Sequence, residues 1–350
     1  MRKILLILPV LAGLAACERS FDITKQLEEG VVWMSFIPSN DYDTTFFIVQ
    51  GTTPLIGYPS PKRTSGESVS VKVNGQSLEL EKSNRSIPDR MQFYATEHVF
   101  SPGDLIEVTA TIPGLDDVSA SCEMPGLFPD YTWKARNPEP EKRSFTLYVD
   151  IDYADPNDEG GFYGAVVLQR SDTDSQEAKW DPDSKDWIWG EIKHRTNSKG
   201  LMPTAMTDLG SLSAASETPV SVMPRYYNFM KGGESYSSVQ IWKDIPGYTS
   251  KEGRRHITIA STCYEGAKSS YYEYPENSIS KSERRYTYSI VLYRFSESFY
   301  NYLKAQYNNN GSEFFELGLA PVSYVYTNVH GGTGVCGAYT VTSSDWIELD

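Results

Sequence analysis

From Ser144 to Tyr153 the chain alternates without a break. Phe145, Leu147, Val149, Ile151 and Tyr153 are apolar or aromatic, and Ser144, Thr146, Tyr148, Asp150 and Asp152 lie between them. Successive side chains of a strand point to opposite faces, so this period fits a half-buried strand and no helix. The same period returns at Leu105 to Ile112, where Ile106, Val108, Ala110 and Ile112 oppose Glu107, Thr109 and Thr111. It returns once more where Tyr286, Tyr288, Ile290 and Leu292 share a face. Strands with one dry face must bury it against another sheet, so the chain is expected to be all-β and mainly antiparallel.

Turn chemistry divides the chain. Val69 to Val73 and Gln76 to Leu80 flank Asn74 and Gly75, a pair that supplies the positive φ angles of a two-residue hairpin turn. Val31 to Ile37, Thr44 to Gln50 and Val118 to Met124 are further strand-like runs. About seven short strands at this spacing predict an immunoglobulin-like sandwich. That domain is assigned to residues 17–125, after a leader at 1–16. Pro129, Pro138 and Pro140 make 126–142 a stiff, extended linker. Residues 143–350 then form a larger β-rich domain with one amphipathic helix near its end. For that helix Ser296 is the N-cap, Phe295 and Tyr300 are spaced as a hydrophobic staple, and Asn308 to Gly311 end it. Phe299, Tyr302, Leu303, Gln306 and Tyr307 form its apolar stripe.

The leader has its own logic. Arg2 and Lys3 precede an apolar core, Ile4 to Ala16, that is shorter than the roughly 20 residues a bilayer span needs. Leu14, Ala15, Ala16 and Cys17 match a lipobox, in which small residues admit a peptidase that cuts before the cysteine. Cys17 is therefore the expected lipidation site, and its acyl chains the expected link to a membrane. The chain is acidic, with a formal net charge of −14. It lacks the basic stripe that a phosphate backbone requires, so no nucleic-acid partner is expected.

Metal and catalytic patterns are weak. Cys122, Cys263 and Cys336 fit no zinc spacing; in an oxidising compartment at most one intramolecular disulfide can form among them, and buried, inert thiols are the better reading for at least two. Asp150, Asp152, Asp155, Asp158 and Glu159 invite a calcium reading. Ala154 and Pro156 break the alternating ligand pattern, so a solvated acidic turn is the better reading. Gly332, Gly334 and Gly337 have dinucleotide-fingerprint spacing, but a strand follows them where that mechanism needs a helix. They are expected to form a tight turn or bulge between core strands. His98, His194, His256 and His330 lie in no HExxH or paired-ligand pattern. No cofactor is expected, and no enzyme activity.

Aromatic clusters are the candidates for ligand contact. Trp180, Trp187 and Trp189 could stack on a sugar or peptide, although Trp187 and Trp189 share a face and core or cross-strand packing is the better reading. Tyr226 and Tyr227, and Tyr271, Tyr272 and Tyr274, mark tyrosine-rich turn regions of the kind that carry recognition, with rings that simply cover strand ends as an equal reading.

Three stretches together carry a resemblance: the leader with Cys17, the strand and acidic turn from Phe145 to Tyr163, and the ending from Phe299 to Val335. They resemble the Bacteroidota lipoproteins of the domain of unknown function 4249 family, with Cys336 standing where Phe is common. The resemblance implies an outer-membrane lipoprotein that works with a TonB-dependent receptor in nutrient capture, and it brings no catalytic residues. Two other classes compete: a surface lipoprotein that self-associates, and a hydrolase built on two carboxylates, which needs a cleft where they converge.

Overall fold

The computed structural model of the chain describes residues 31–41, 44–52, 66–84, 86, 91–155, 160–207, 220–222, 239–244, 253–274, 278–310 and 326–349. The leader with Cys17, Asp158, Glu159, Tyr226, Tyr227 and Gly311 lie outside the described residues. The architecture is mainly antiparallel β, as expected, with one helix near the C-terminus.

The first sandwich faces two sheets against each other. One holds β1 (Val32–Phe36), β2 (Thr45–Gly51), β5 (Glu81–Lys82) and β6 (Met91–Thr96). The other runs β4 (Gln76–Leu78), β3 (Ser68–Val73), β7 (Leu105–Thr111), β8 (Val118–Glu123). Asn74 (φ 52°) and Gly75 (φ 79°) form the expected turn between β3 and β4. The Asn74 side chain also receives the Leu105 N–H at 2.9 Å, tying the hairpin to β7. Met34, Phe36, Phe47 and Val49 from one sheet meet Val71, Ile106, Val108 and Ala120 from the other, all buried. Each contributes about 1.5–3 kcal/mol if large, which makes this inner face the main source of the sandwich's stability.

That core is completed from the far end of the chain. Gly331 (φ 78°) and Gly332 turn the chain, and the run then continues as a strand, β20 (Thr333–Cys336), lying parallel to β1 from Trp33↔Thr333 to Phe36↔Cys336. The glycines permit its close approach. A Cβ on Gly332 would lie 2.3 Å from the Val32 carbonyl oxygen. Val329, Cys336 and Ala338 enter the first core, whereas Val335, pointing the other way, enters a different one. One strand thus seals two cores.

Inside the expected linker, Tyr131–Arg136 forms strand β9, an edge strand on β10 (Ser144–Ala154). Its sheet continues to β17 (Arg254–Tyr264) and β14 (Pro203–Thr207). Against it packs an eight-stranded sheet built on β11 (Gly161–Asp181) and β19 (Ser278–Phe295), paired residue for residue from Phe162↔Phe295 to Lys179↔Ser278. The sheet also holds β12 (Asp186–Trp189), β13 (Lys193–Gly200), β15 (Val220–Val222), β16 (Val239–Asp244), β18 (Ser269–Tyr274) and β21 (Tyr339–Ser343). Leu147, Val149, Ile151 and Tyr153 of β10 fill the space between the two sheets with Ala165, Val167, Trp242, Ile290 and Leu292.

The opposite face of the eight-stranded sheet carries the helix α1 (Glu297–Asn310). Ser296 caps it, accepting the Phe299 N–H at 3.3 Å and the Ala338 N–H at 2.9 Å. Phe299, Tyr300, Tyr302 and Leu303 are buried on the sheet. Phe295 meets Phe299 edge-on, and Tyr300 packs on Phe162. Among the described residues no helix is long and apolar enough to cross a membrane.

Candidate functional site

β11 and β19 are far longer than a core requires. The buried part of β11 ends near Gln169, yet the strand runs on to Asp181, roughly 35–40 Å further at strand spacing. β12, β13 and β18 pair along the overhang, so with β11 and β19 it stands out as a five-stranded wing with two open faces.

One wing face is aromatic. Directly opposed residues of antiparallel strands share a face, so Trp180↔Trp187, Ala178↔Trp189, Ala178↔Ile279 and Tyr271↔Lys281 place these side chains together. Ala178 and Ile279 are buried there, roofed by larger neighbours. Trp180 and Trp187 meet edge-on, 5.5 Å between centroids. The Lys281 ammonium sits 4.3 Å above the Trp189 ring, a cation–π contact. Trp180, Trp189 and Tyr271 remain 39%, 37% and 55% exposed. The tryptophans therefore pack across strands, as their spacing allowed, but outside any core.

The other wing face holds Tyr272 and Tyr274, exposed opposite Ser280 and Ser278. Nearby is a shallow groove of about 650 Å³ lined by Lys179, Asp181, Pro182, Ile188, Ile192 and Lys193, among others. Its rim is a rigid turn. Asp181 accepts the Ser184 hydroxyl at 2.7 Å and the Asp183 N–H at 3.1 Å, and these bonds hold its carboxyl below the usual range.

Two polar ladders escaped the sequence reading. On the wing, Asp172 and Asp174 face Thr196 and His194; on β10 and β17, Asp150 and Asp152 face Thr258 and His256. In each, the threonine hydroxyl donates to the first aspartate, at 2.6 and 2.5 Å, and the histidine Nδ1 meets the second, at 2.6 and 2.9 Å. The common signal is Asp-x-Asp opposite His-x-Thr. Although each aligns Thr, His and Asp, the hydroxyl proton is already given to a carboxylate and the group lies on a pleated face. Cross-strand pairing, rather than nucleophile activation, is the chemistry these contacts perform.

The three described carboxylates of the acidic turn go to separate partners. Asp150 pairs with Arg136 at 3.0 Å, and Asp152 with His256. Asp155 turns inward to buried Arg255, at 2.8 Å. Arg255 also lies 3.6 Å from Asp244, which accepts the Tyr153 hydroxyl at 2.5 Å. Burial, then the Asp244 charge, pushes the Tyr153 phenol well above its ordinary pKa. Among the described residues no group of His, Cys, Asp and Glu is arranged to hold a metal ion.

No curated protein matches the chain. The sequence model of a family described as Domain of unknown function (DUF4249) matches residues 18–345, which takes in both sandwiches, the wing, α1 and the returning strand β20. The chain belongs to the DUF4249 family.

Proposed function

We propose that this protein is a lipid-anchored envelope component that binds without catalysing, and that it assists a TonB-dependent outer-membrane receptor in capturing a nutrient. The lipobox ending at Cys17 supports the anchor, and the acidic composition agrees with a soluble body held at a membrane. The observation that carries the binding reading is the aromatic wing face, with Trp180, Trp187, Trp189 and Tyr271 gathered beside Lys281 outside any core. Large rings left half in water on a rigid sheet are the usual currency of recognition, because they bury much area on contact and lose little side-chain freedom.

The test is a mild-detergent extraction of the full-length protein from its native envelope, with co-purifying proteins identified by mass spectrometry. Recovery of one outer-membrane barrel in near-equal amount is expected. Recovery of the protein alone removes the receptor from the proposal.

Self-association is the second reading. It is favoured by β18, an outer strand of the wing whose Tyr271, Tyr272 and Tyr274 are all more than half exposed. It requires oligomers that grow with concentration in the purified protein, which light scattering reads directly.

A further inference from the structure

Cys122 lies on β8 and Cys336 on β20, at corresponding sides of the two sheets of the first sandwich. Both side chains are buried in the same core, and their sulfurs are 3.4 Å apart. The surrounding backbone is already clamped. Asn328 donates from Nδ2 to the Ser121 carbonyl at 3.1 Å and to the Cys336 carbonyl at 2.8 Å, and its Oδ1 accepts the Cys336 N–H at 3.0 Å. One turn away, Ser119 and His330 exchange backbone hydrogen bonds of 3.2 and 2.8 Å. The two thiols are thus positioned by neighbours that do not depend on them. Cys263, the other described cysteine, lies in a different core, where its sulfur meets Gln169 and Tyr288.

We infer that Cys122 and Cys336 are joined in the mature protein by a disulfide that staples the two sheets of the first sandwich. The bond requires the sulfurs to close to about 2.05 Å, a movement within reach of side-chain rotation when the strands already face each other. Formation is a two-step exchange with a protein or small-molecule disulfide as oxidant. One thiolate attacks the oxidant's S–S bond, giving a mixed disulfide and releasing one oxidant thiol. The second cysteine displaces the other oxidant sulfur, so two thiol protons and two electrons pass to the oxidant, whose two sulfurs leave as thiols. The exchange belongs to folding, before β20 docks. Once docked, the Cys122 contact and burial hold the Cys336 thiol far above its ordinary pKa, so an unpaired Cys336 in the finished core is a poor nucleophile for exchange. That the oxidant is met in the cell rests on the envelope placement proposed above.

The test has two arms. In the first, the full-length protein is unfolded in guanidinium with reductant, refolded in a mixture of reduced and oxidised glutathione, alkylated and digested. The expected result is a linked peptide pair carrying Cys122 and Cys336, with Cys263 alkylated. The melting temperature should then fall on adding reductant in the wild type but not in Cys122→Ser or Cys336→Ser. Alkylation of both Cys122 and Cys336 in the refolded protein, or pairing of either with Cys263, overturns the assignment. In the second arm, protein taken from its native envelope under alkylating conditions is mapped in the same way, and the acyl mass on Cys17 is read in parallel. Acylated protein with both thiols free overturns the disulfide; unacylated protein removes the envelope reading and leaves the refolding arm to decide the bond.

Discussion

Gly334 and Met34 sit face to face on parallel strands, so close that a Cβ on Gly334 would lie 1.8 Å from the Met34 carbonyl oxygen. Gly334 also has φ 114°, a conformation that disfavours any side chain. Gly334→Ala is therefore expected to destabilise the protein by at least about 3 kcal/mol, at the upper end of single-substitution effects. Gly75→Ala is the control: φ is 79° there, but a Cβ would meet nothing within 4 Å. It should cost only about 1–2 kcal/mol. Guanidinium denaturation of both variants gives the comparison.

Arg255 is buried between Asp155 and Asp244. Arg255→Met removes the cation and leaves both carboxylates in the interior without it, with an expected loss of about 3–5 kcal/mol. Tyr153→Phe removes one hydroxyl from the same network and should lose about 1–2 kcal/mol. If the two losses are equal in urea denaturation, the ion pair is not what holds this end of the sandwich.

Alkaline pH should weaken the fold in two stages. Burial pushes the Cys263 thiol from its ordinary 9.0 up to about 11, and the Tyr163 phenol from 10.0 up to about 12. Both pKa values are raised by folding, so each stability contribution is whole below the unfolded value and is lost as pH climbs to the folded one. The denaturation midpoint is expected to start falling near pH 9 and to steepen between 10 and 12. Cys263→Ala should remove the first stage and Tyr163→Phe should reduce the second, as midpoints measured at half-unit pH steps will show.

On the wing, Trp189→Ala and Lys281→Ala break the cation–π contact at a half-exposed site. Each should change global stability by no more than about 1 kcal/mol. Recovery of the receptor in the envelope extraction should fall at least several-fold, at equal protein level. Unchanged recovery moves the binding surface off this face.

What was legible in the sequence was whatever obeyed a short-range rule. The alternation at Ile106 to Ala110 and at Phe145 to Tyr153 gave strands with the expected buried faces, and Asn74–Gly75 gave the hairpin. Ser296 capped the helix. The wing was hidden because both its faces are wet: Ser171 to Glu177 is polar throughout and shows no two-residue hydrophobic period, although it pairs fully with β19. The shared face of Trp187 and Trp189 was readable, while Lys281, distant in sequence, was not. The strand that follows Gly331 and Gly332 was hidden for a similar reason. Its partner is β1, at the other end of the described chain, and no local pattern names a partner so remote.

The place of β20 also sets an order of events. β1 leaves the ribosome about 300 residues before Thr333, which at roughly 5–20 residues per second is about 15–60 s of synthesis. Through that interval the first sandwich has one edge unpaired and part of its core missing, a state prone to sticking to other strands. The first sandwich therefore cannot complete its core until the C-terminal segment that carries β20 has been made.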